Sequence, residues 1–349
     1  MPSLHRTACR SLAVAIVLAV VTLGFAAPAS ACGGLIGENG SIQLVRTTTL
    51  AAWHDGIEHY VTSFEFSGAG QAVGSIIPLP AVPTKVEAAG RWTLQRLQRE
   101  VSPPVAFEAA AGTGAAAADK AEVLLTTQVD ALDITVLRGG GDSVGAWALA
   151  NGFFLTPDAP EVLDFYAARS QIFLAAKFDA SRAAAQGLNG GDGTPIDITL
   201  PIDRPWVPLR ILALGLPADQ RVQADVFLLT DDKPKLLSGR GLSLERSEQA
   251  SSSLMADLRS DRGMDWMPQD LWLSHLTLDE AAGALSYDLS AGVAGRGPSL
   301  IAAGYHTGGS TFPVPSTSWT IETDTIVLGS VLVALVVVGF TFRARRARS

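Results

Sequence analysis

The chain has 349 residues, of which 26 are basic and 34 are acidic, giving a formal net charge of −8 at neutral pH. Two basic residues precede residue 32 and four follow residue 342, so the region between carries 20 basic against 34 acidic groups, a net charge of about −14. Such a surface repels phosphate backbones, which excludes nucleic acid as a partner.

The N-terminus predicts a secretory signal peptide over residues 1–31. His5, Arg6 and Arg10 precede an almost unbroken apolar run at 11–25, and Ala29 and Ala31 then occupy the small-residue positions of a cleavage site. We therefore expect cleavage between Ala31 and Cys32.

Cys32 is the one cysteine of the predicted mature chain, because Cys9 lies within the signal peptide. An intramolecular disulfide is then impossible, and three fates stay open: a plain N-terminal cysteine, lipid attachment, or an intermolecular disulfide. Ala29 stands where a lipid-attachment motif has a larger aliphatic residue, whereas Ala31 and Gly33 fit that motif.

A second apolar segment, residues 326–342, predicts a single transmembrane helix. It contains no charged residue, and its 17 residues lie at the lower end of the roughly 17–25 that span a bilayer. Because arginine-rich flanks stay cytoplasmic, residues 343–349 form the predicted inner tail. The predicted order is an extracytoplasmic domain at 32–310, a stalk at 311–325, the membrane helix and the tail.

Within the extracytoplasmic domain, the first predicted unit is a β-hairpin. A strand at 42–54 leads into the Asp55–Gly56 turn, and an alternating strand follows at 57–67. A third strand is expected at 72–79, and the spacing of apolar residues predicts an amphipathic helix at 87–101.

The remainder of the domain mixes strands and helices. Residues 102–120 are rich in alanine and glycine, which predicts a mobile surface insertion. Further elements are predicted as follows: strands at 131–138, 171–178, 196–202, 209–214 and 222–229, and helices at 143–151 and 161–170. The segment at 238–262 is polar. Because strands come in blocks with helices between them, the expected fold class is α+β, a strand-rich ectodomain with a few helices.

Several short motifs occur in a familiar order. They are DGIEH at 55–59, FEFSG at 64–68, WTLQRL at 92–97, NGF at 151–153 and WVPLRI at 206–211. With the Cys-Gly-Gly start at 32–34, they resemble a family of secreted bacterial proteins, domain-of-unknown-function family 2330, over about residues 30–235. The resemblance implies export and a shared ectodomain fold, and it implies no reaction and no catalytic residues. Some members carry a second cysteine soon after the first, which residues 35–37 lack.

Residues 141–145 (GDSVG) match the G-x-S-x-G pattern of a nucleophile elbow. In that motif a sharp strand-to-helix turn exposes the serine hydroxyl to a histidine base later in the chain. Ser143 is thus a candidate nucleophile, with His275 and His306 as candidate bases. The alternative is that Asp142 or Ser143 caps a short helix.

His54 and His59 are candidate metal ligands near the tip of the predicted hairpin. With Asp55–Gly56 as the turn, the two imidazoles share one face of the hairpin, diagonally placed and wider apart than chelation prefers. A zinc site needs three or four nitrogen or sulfur ligands, so the remainder would come from elsewhere in the chain. Otherwise this segment is a solvated hairpin tip.

Neither pattern supplies a complete catalytic or metal site, and no cofactor is predicted. The favoured function is therefore a non-enzymatic binding or interaction module of the cell envelope, anchored in the membrane by its C-terminal helix. Its partner is an unknown envelope protein or ligand. The alternative is a cell-envelope hydrolase that uses Ser143.

Overall fold

The structure of the protein, a computed structural model, describes residues 34–37, 40–41, 47–63, 73–90, 92–101, 122–186 and 195–305. The strands in these ranges are β1 Gly34–Gly37, β2 Gly40–Ser41, β3 Thr47–His54, β4 Ile57–Ser63, β5 Val73–Leu79, β6 Lys85–Ala88, β7 Glu122–Val129, β8 Leu132–Arg138, β9 Ile172–Phe178, β10 Pro195–Pro201, β11 Trp206–Val207, β12 Arg221–Thr230, β13 Lys235–Leu236, β14 Leu242–Gln249, β15 Trp272–Ala281 and β16 Leu289–Gly292. The helices are α1 Thr93–Val101, α2 Gly141–Ala150, α3 Ala159–Ala167, α4 Ala180–Ala185 and α5 Ser252–Ser260, with 3-10 turns at Arg210–Ala213 and Ala282–Ala284.

A seven-stranded sheet in the order β14-β15-β12-β3-β4-β10-β6 contains the predicted hairpin. Its pairings are antiparallel except for β3 with β12. Asp55 and Gly56 both have positive φ, 48° and 85°, as the tight turn of a two-residue hairpin requires. The hairpin predicted from the Asp-Gly pair is therefore confirmed.

A second, antiparallel sheet has the order β2-β1-β5-β9-β8-β7. The third predicted strand, β5, belongs to this sheet and not to the hairpin's. A small third sheet joins β11, β16 and β13. The strand-rich α+β fold is therefore confirmed for the described residues.

The two large sheets stack face to face, and helices cover their outer faces. Side chains from both sheets, such as Leu174 of β9 and Val226 of β12, share one buried cluster. The alternate residue Phe173 packs instead with α2 and α3, and Phe227 packs with α1 and α5. Because neighbouring side chains of a strand point to opposite faces, this division defines four layers: helix, sheet, sheet, helix.

Two sequence-based expectations are wrong, and one segment without a predicted element forms two. The predicted helix at 87–101 is divided into strand β6 and the shorter helix α1, whose first turn is held by the distant Asp261. The expected strand at 209–214 is a 3-10 turn, because side chains accept its N–H groups in place of a sheet partner. The polar segment at 238–262 forms β14 and α5.

None of the helices in the described ranges combines the length and the apolar character needed to cross a bilayer. The predicted signal peptide, Cys32, the insertion at 102–120, the stalk and the transmembrane helix at 326–342 lie outside the described residues. Those predictions stay predictions.

Replacing Gly90 by alanine is expected to lower the free energy of unfolding by about 2 kcal/mol, at the upper end for loss of a helix cap. Asp261 accepts hydrogen bonds from the N–H groups of Trp92 (3.1 Å) and Thr93 (2.9 Å) at the start of α1. A Cβ atom at Gly90 would overlap the Asp261 carboxylate and displace it. Urea unfolding measures the effect, with Gly145→Ala as the control.

Gly145 is a suitable control because a Cβ atom built there makes an ordinary contact of 3.6 Å with Leu155, and alanine is a better helix former than glycine inside α2. If both variants unfold at the same urea concentration, the carboxylate does not hold the start of α1.

Candidate functional site: an arginine–aromatic cleft

The buried carboxylate of Asp288 forms hydrogen bonds both with α3 and the turn after it and with the chain segment that precedes β12. Asp288 is 1 % exposed and accepts hydrogen bonds from the Tyr166 hydroxyl and the Arg169 guanidinium, both at 2.8 Å. It also accepts the backbone N–H groups of Leu209 (2.9 Å) and Arg210 (3.1 Å). This one side chain thus fixes both arginines relative to α3.

The ionisation of this network follows from its burial. Burial raises the pKa of Asp288 to about 6, although the Arg169 guanidinium and the hydrogen bonds oppose the rise. At neutral pH the carboxyl group is therefore ionised and forms an ion pair with Arg169. Burial and the adjacent carboxylate raise the pKa of Tyr166 well above its ordinary value, so its hydroxyl stays neutral. That hydroxyl also accepts the N–H of Ile211 at 2.8 Å.

Arg169 connects the network to a surface cleft of about 430 Å³. One wall is a face of α3 and the turn after it, whose residues follow the i, i+3, i+4, i+7 spacing of neighbours on a helix: Glu161, Asp164, Phe165 and Ala168. The opposite face of α3, with Val162, Leu163 and Tyr166, is buried against the six-stranded sheet.

Two guanidinium groups lie against the aromatic ring of Phe165. The Cζ atoms of Arg169 and Arg210 are 3.7 Å and 4.2 Å from the ring centre, within the range of cation–π attraction. Gly304 packs against the Phe165 ring and the Arg169 side chain. Its φ is +82°, and a Cβ atom there would overlap both side chains. Ile301, 65 % exposed, and Tyr305 complete the lining.

These residues were not identified from the sequence. The α3 face carried a detectable signal, since acidic and aromatic residues recur at helical spacing within a predicted helix. Arg210 and Tyr305 carried none, because nothing in the sequence brings residues 161, 210 and 305 together.

Ser143, the candidate nucleophile, lies in the first turn of α2. The predicted order of strand, glycine turn and helix is present, but β8 belongs to an antiparallel sheet. The N-cap of α2 is Gly140 and no side chain caps the helix, so the alternative of a cap by Asp142 or Ser143 is wrong.

In the described part of the chain, neither candidate base lies beside Ser143. His275 belongs to β15 of the seven-stranded sheet, and its Nε2 lies 2.9 Å from Asp225 of the neighbouring strand β12. His306 lies outside the described residues. The turn itself adjoins the cleft, since a Cβ atom on Gly141 would be 3.1 Å from Asp164 Oδ1.

His54 and His59 have the register expected from their turn, with His54 opposite Ile57 and His59 opposite Ala52. The two imidazoles form hydrogen bonds with different partners. His54 Nδ1 lies 2.6 Å from Asp231, at the end of β12, whereas His59 Nδ1 lies 2.7 Å from Asp197 of β10. Because β12 and β10 flank the hairpin on opposite sides, the two imidazoles are paired away from each other.

Each imidazole is also in a different environment. The His54 side chain is 50 % exposed, and that of His59 is 15 % exposed and stacks on Trp266 with the ring centres 3.5 Å apart. Burial raises the pKa of Asp197, the partner of His59. Among the residues that the structure describes, no three His, Cys, Asp or Glu side chains are grouped so that they would hold a metal ion.

The family model of DUF2330, described as an uncharacterized protein conserved in bacteria, matches residues 26–230. The match includes Tyr166, Arg169 and Arg210, whereas Asp288 and Tyr305 lie beyond it. The cleft is thus built from the matched region together with the chain that follows. No curated protein and no solved structure matches the chain.

Proposed function

Because the chain belongs to DUF2330, a family of uncharacterized proteins conserved in bacteria, membership supplies no activity, and we propose its function from the cleft. We propose that the protein is a non-enzymatic binding module of the bacterial cell envelope. Its domain lies outside the cytoplasm and is held at the membrane by the C-terminal helix. The cleft beside α3 is the binding site.

The single observation that carries this proposal is the pair of guanidinium groups placed on Phe165. Specific binding sites combine an apolar surface with a few polar groups held in fixed positions. Here Ile301 and Tyr305 supply the apolar surface, and the buried Asp288 holds Arg169 on the Phe165 ring by an ion pair of 2.8 Å. Positioning of this kind lowers the entropy cost of binding, because the arginine is ordered before a ligand arrives.

The sequence supports the location. A signal peptide at 1–31, an uncharged segment at 326–342 and four arginines after it are the pattern of a single-pass protein with its main domain outside. The acidic extracytoplasmic region, with a net charge of about −14 for the domain and stalk together, suits a soluble body that stands off an anionic membrane surface.

The geometry around Ser143 favours binding over hydrolysis. A serine nucleophile needs a base within hydrogen-bond reach, and His275 is bonded to Asp225 on the other large sheet. The cleft instead presents arginine and aromatic side chains, which are the groups most enriched where proteins bind their partners.

Site-specific photo-crosslinking tests the proposal in native cells. A benzophenone amino acid replaces Ile301, in the cleft, or Val82, which is 40 % exposed and lies outside it. We expect irradiation to add mass to the full-length membrane-bound protein only at position 301. Equal labelling at both positions, no labelling at 301, or recovery of the protein in the cytosol would contradict the proposal.

A further inference from the structure

The arginines of the cleft have more donors than their partners use. In the described part of the chain, the Arg169 guanidinium makes one hydrogen-bonded ion pair, to Asp288, and the Arg210 guanidinium makes one, to Glu161. Each guanidinium has five N–H donors. The two side chains are only 17 % and 15 % exposed, and both line the cleft beside Phe165, where their remaining donors are available to a ligand.

The partner of Arg210 indicates which anion the site accepts. Glu161 is 75 % exposed, and its pairing with Arg210 shows that a carboxylate fits against this guanidinium. An exposed ion pair is weak, worth roughly 0–1 kcal/mol. An incoming carboxylate therefore displaces Glu161 at little cost. A phosphate with two charges is disfavoured, because Glu161, Asp164 and Asp288 all lie at or beside the cleft.

The cleft also offers a site for a cation. Asp164 lines it, is exposed, and makes no side-chain hydrogen bond within the described ranges. Its carboxylate is available to an ammonium group, and Ile301 and Tyr305 supply apolar surface in the same cleft.

The size of the cleft limits the ligand. Small-molecule sites measure roughly 300–1,000 Å³, and about 430 Å³ is near the lower end of that range. This space accommodates two or three linked amino acids and excludes a folded domain.

From these groups we infer that the cleft binds a dipeptide or tripeptide with both termini free and an apolar C-terminal side chain. The carboxylate displaces Glu161 from Arg210, the ammonium group pairs with Asp164, and the side chain packs on Ile301 and Tyr305. This inference rests on the proposed function of the cleft as a binding site.

Isothermal titration calorimetry on the full-length protein in mild detergent tests the inference with three probes. These are the dipeptide Ala-Phe, its C-terminal amide and its N-acetyl derivative. We expect Ala-Phe to bind, and the amide to bind about 10- to 100-fold more weakly, because it loses a hydrogen-bonded charge pair. The N-acetyl derivative loses the pair with Asp164 and is expected to bind about tenfold more weakly.

Variants distinguish recognition of each terminus from a general effect on the fold. Arg210→Gln is expected to remove the difference between acid and amide, and Asp164→Asn the difference between free and acetylated amine. Glu161→Gln removes the internal competitor and is expected to tighten Ala-Phe binding about two- to fivefold. The matched control is Arg221→Gln, since Arg221 also pairs with a carboxylate, Asp279, but lies outside the cleft and is 57 % exposed.

Equal affinity for acid and amide would overturn the inference, and so would discrimination that persists in Arg210→Gln or is lost in Arg221→Gln. If no probe binds but position 301 still crosslinks, the ligand class is wrong and the cleft remains a binding site. If neither probe nor crosslink is observed, the proposed function fails as well.

Discussion

Replacing Asp288 by alanine is expected to lower the free energy of unfolding by about 4 kcal/mol, within the roughly 3–5 kcal/mol observed when a buried ion pair loses one member. The change leaves the Arg169 guanidinium and the Tyr166 hydroxyl without their acceptor. It also leaves the N–H groups of Leu209 and Arg210 without one. An unpaired buried donor costs its full desolvation energy, so the four losses act together.

The matched control is Asp203→Ala. Asp203 also binds two arginines, Arg204 at 2.7 Å and Arg296 at 2.8 Å, but its side chain is 51 % exposed. Water screens this surface cluster, so the control is expected to lose less than about 1 kcal/mol. Urea unfolding of both variants measures the difference, and a loss of similar size in the two proteins would show that the buried network contributes little.

Local chemistry explains why much of the fold was predictable. The hairpin of β3 and β4 follows from Asp55–Gly56, because few residue pairs adopt positive φ at both positions of a turn. Strand β9 likewise follows from a short continuous run of apolar residues, and helix α3 from apolar residues at a period of 3.6. In each case the signal lies within a dozen residues of the structure that it determines.

Distant partners explain what was not predictable. The apolar segment at 209–214 has the composition of a strand, yet its backbone donors are bound by Asp288 and Tyr166, which are 79 and 45 residues away from their partners along the chain. Helix α1 begins where Asp261 accepts the N–H of Thr93, 168 residues away. No local pattern encodes such an acceptor.

The cleft likewise combines a part that follows from local sequence with a part that depends on distant residues. One helix face of α3 was visible in the sequence as a repeat of Glu161, Asp164 and Phe165, but a polar helix face is ordinarily just solvated. Arg210 and Tyr305 gave that face its chemistry, and both reach it through the packing of other elements. The fold class therefore followed from periodicity, whereas the site required the three-dimensional structure.

The same buried carboxylate links stability to binding. Asp288 holds Arg169 beside Phe165 and binds the backbone at Arg210, so the arrangement of the cleft depends on a charge that the fold must bury. Burial opposes ionisation, which is why the pKa of Asp288 is raised to about 6 despite its hydrogen bonds. The protein thus carries an energetic cost at neutral pH in order to keep the cleft in place.

This cost predicts how stability changes with pH. An unfolded aspartate titrates near pH 3.9, whereas folded Asp288 titrates at about pH 6. Between these values the folded state retains a proton that the unfolded state has lost. The contribution of Asp288 is therefore fully present below about pH 4 and is lost as the pH rises through 6. Two pKa units correspond to about 3 kcal/mol.

The difference between the wild-type protein and Asp288→Asn isolates this contribution, because asparagine keeps an acceptor oxygen but does not titrate. Between pH 4 and 6 the free energy of unfolding of the wild type is expected to fall by about 2 kcal/mol relative to the variant, and the full fall of about 3 kcal/mol is reached well above pH 6, as measured by urea unfolding at each pH. Asp203, whose pKa is lowered to about 2, does not interfere, since it is present in both proteins and its contribution cancels in the difference. Parallel pH profiles would mean that Asp288 is ionised in the folded protein down to pH 4. Arg169 would then compensate fully for the burial of its partner, and the cleft would impose no cost on the fold at neutral pH.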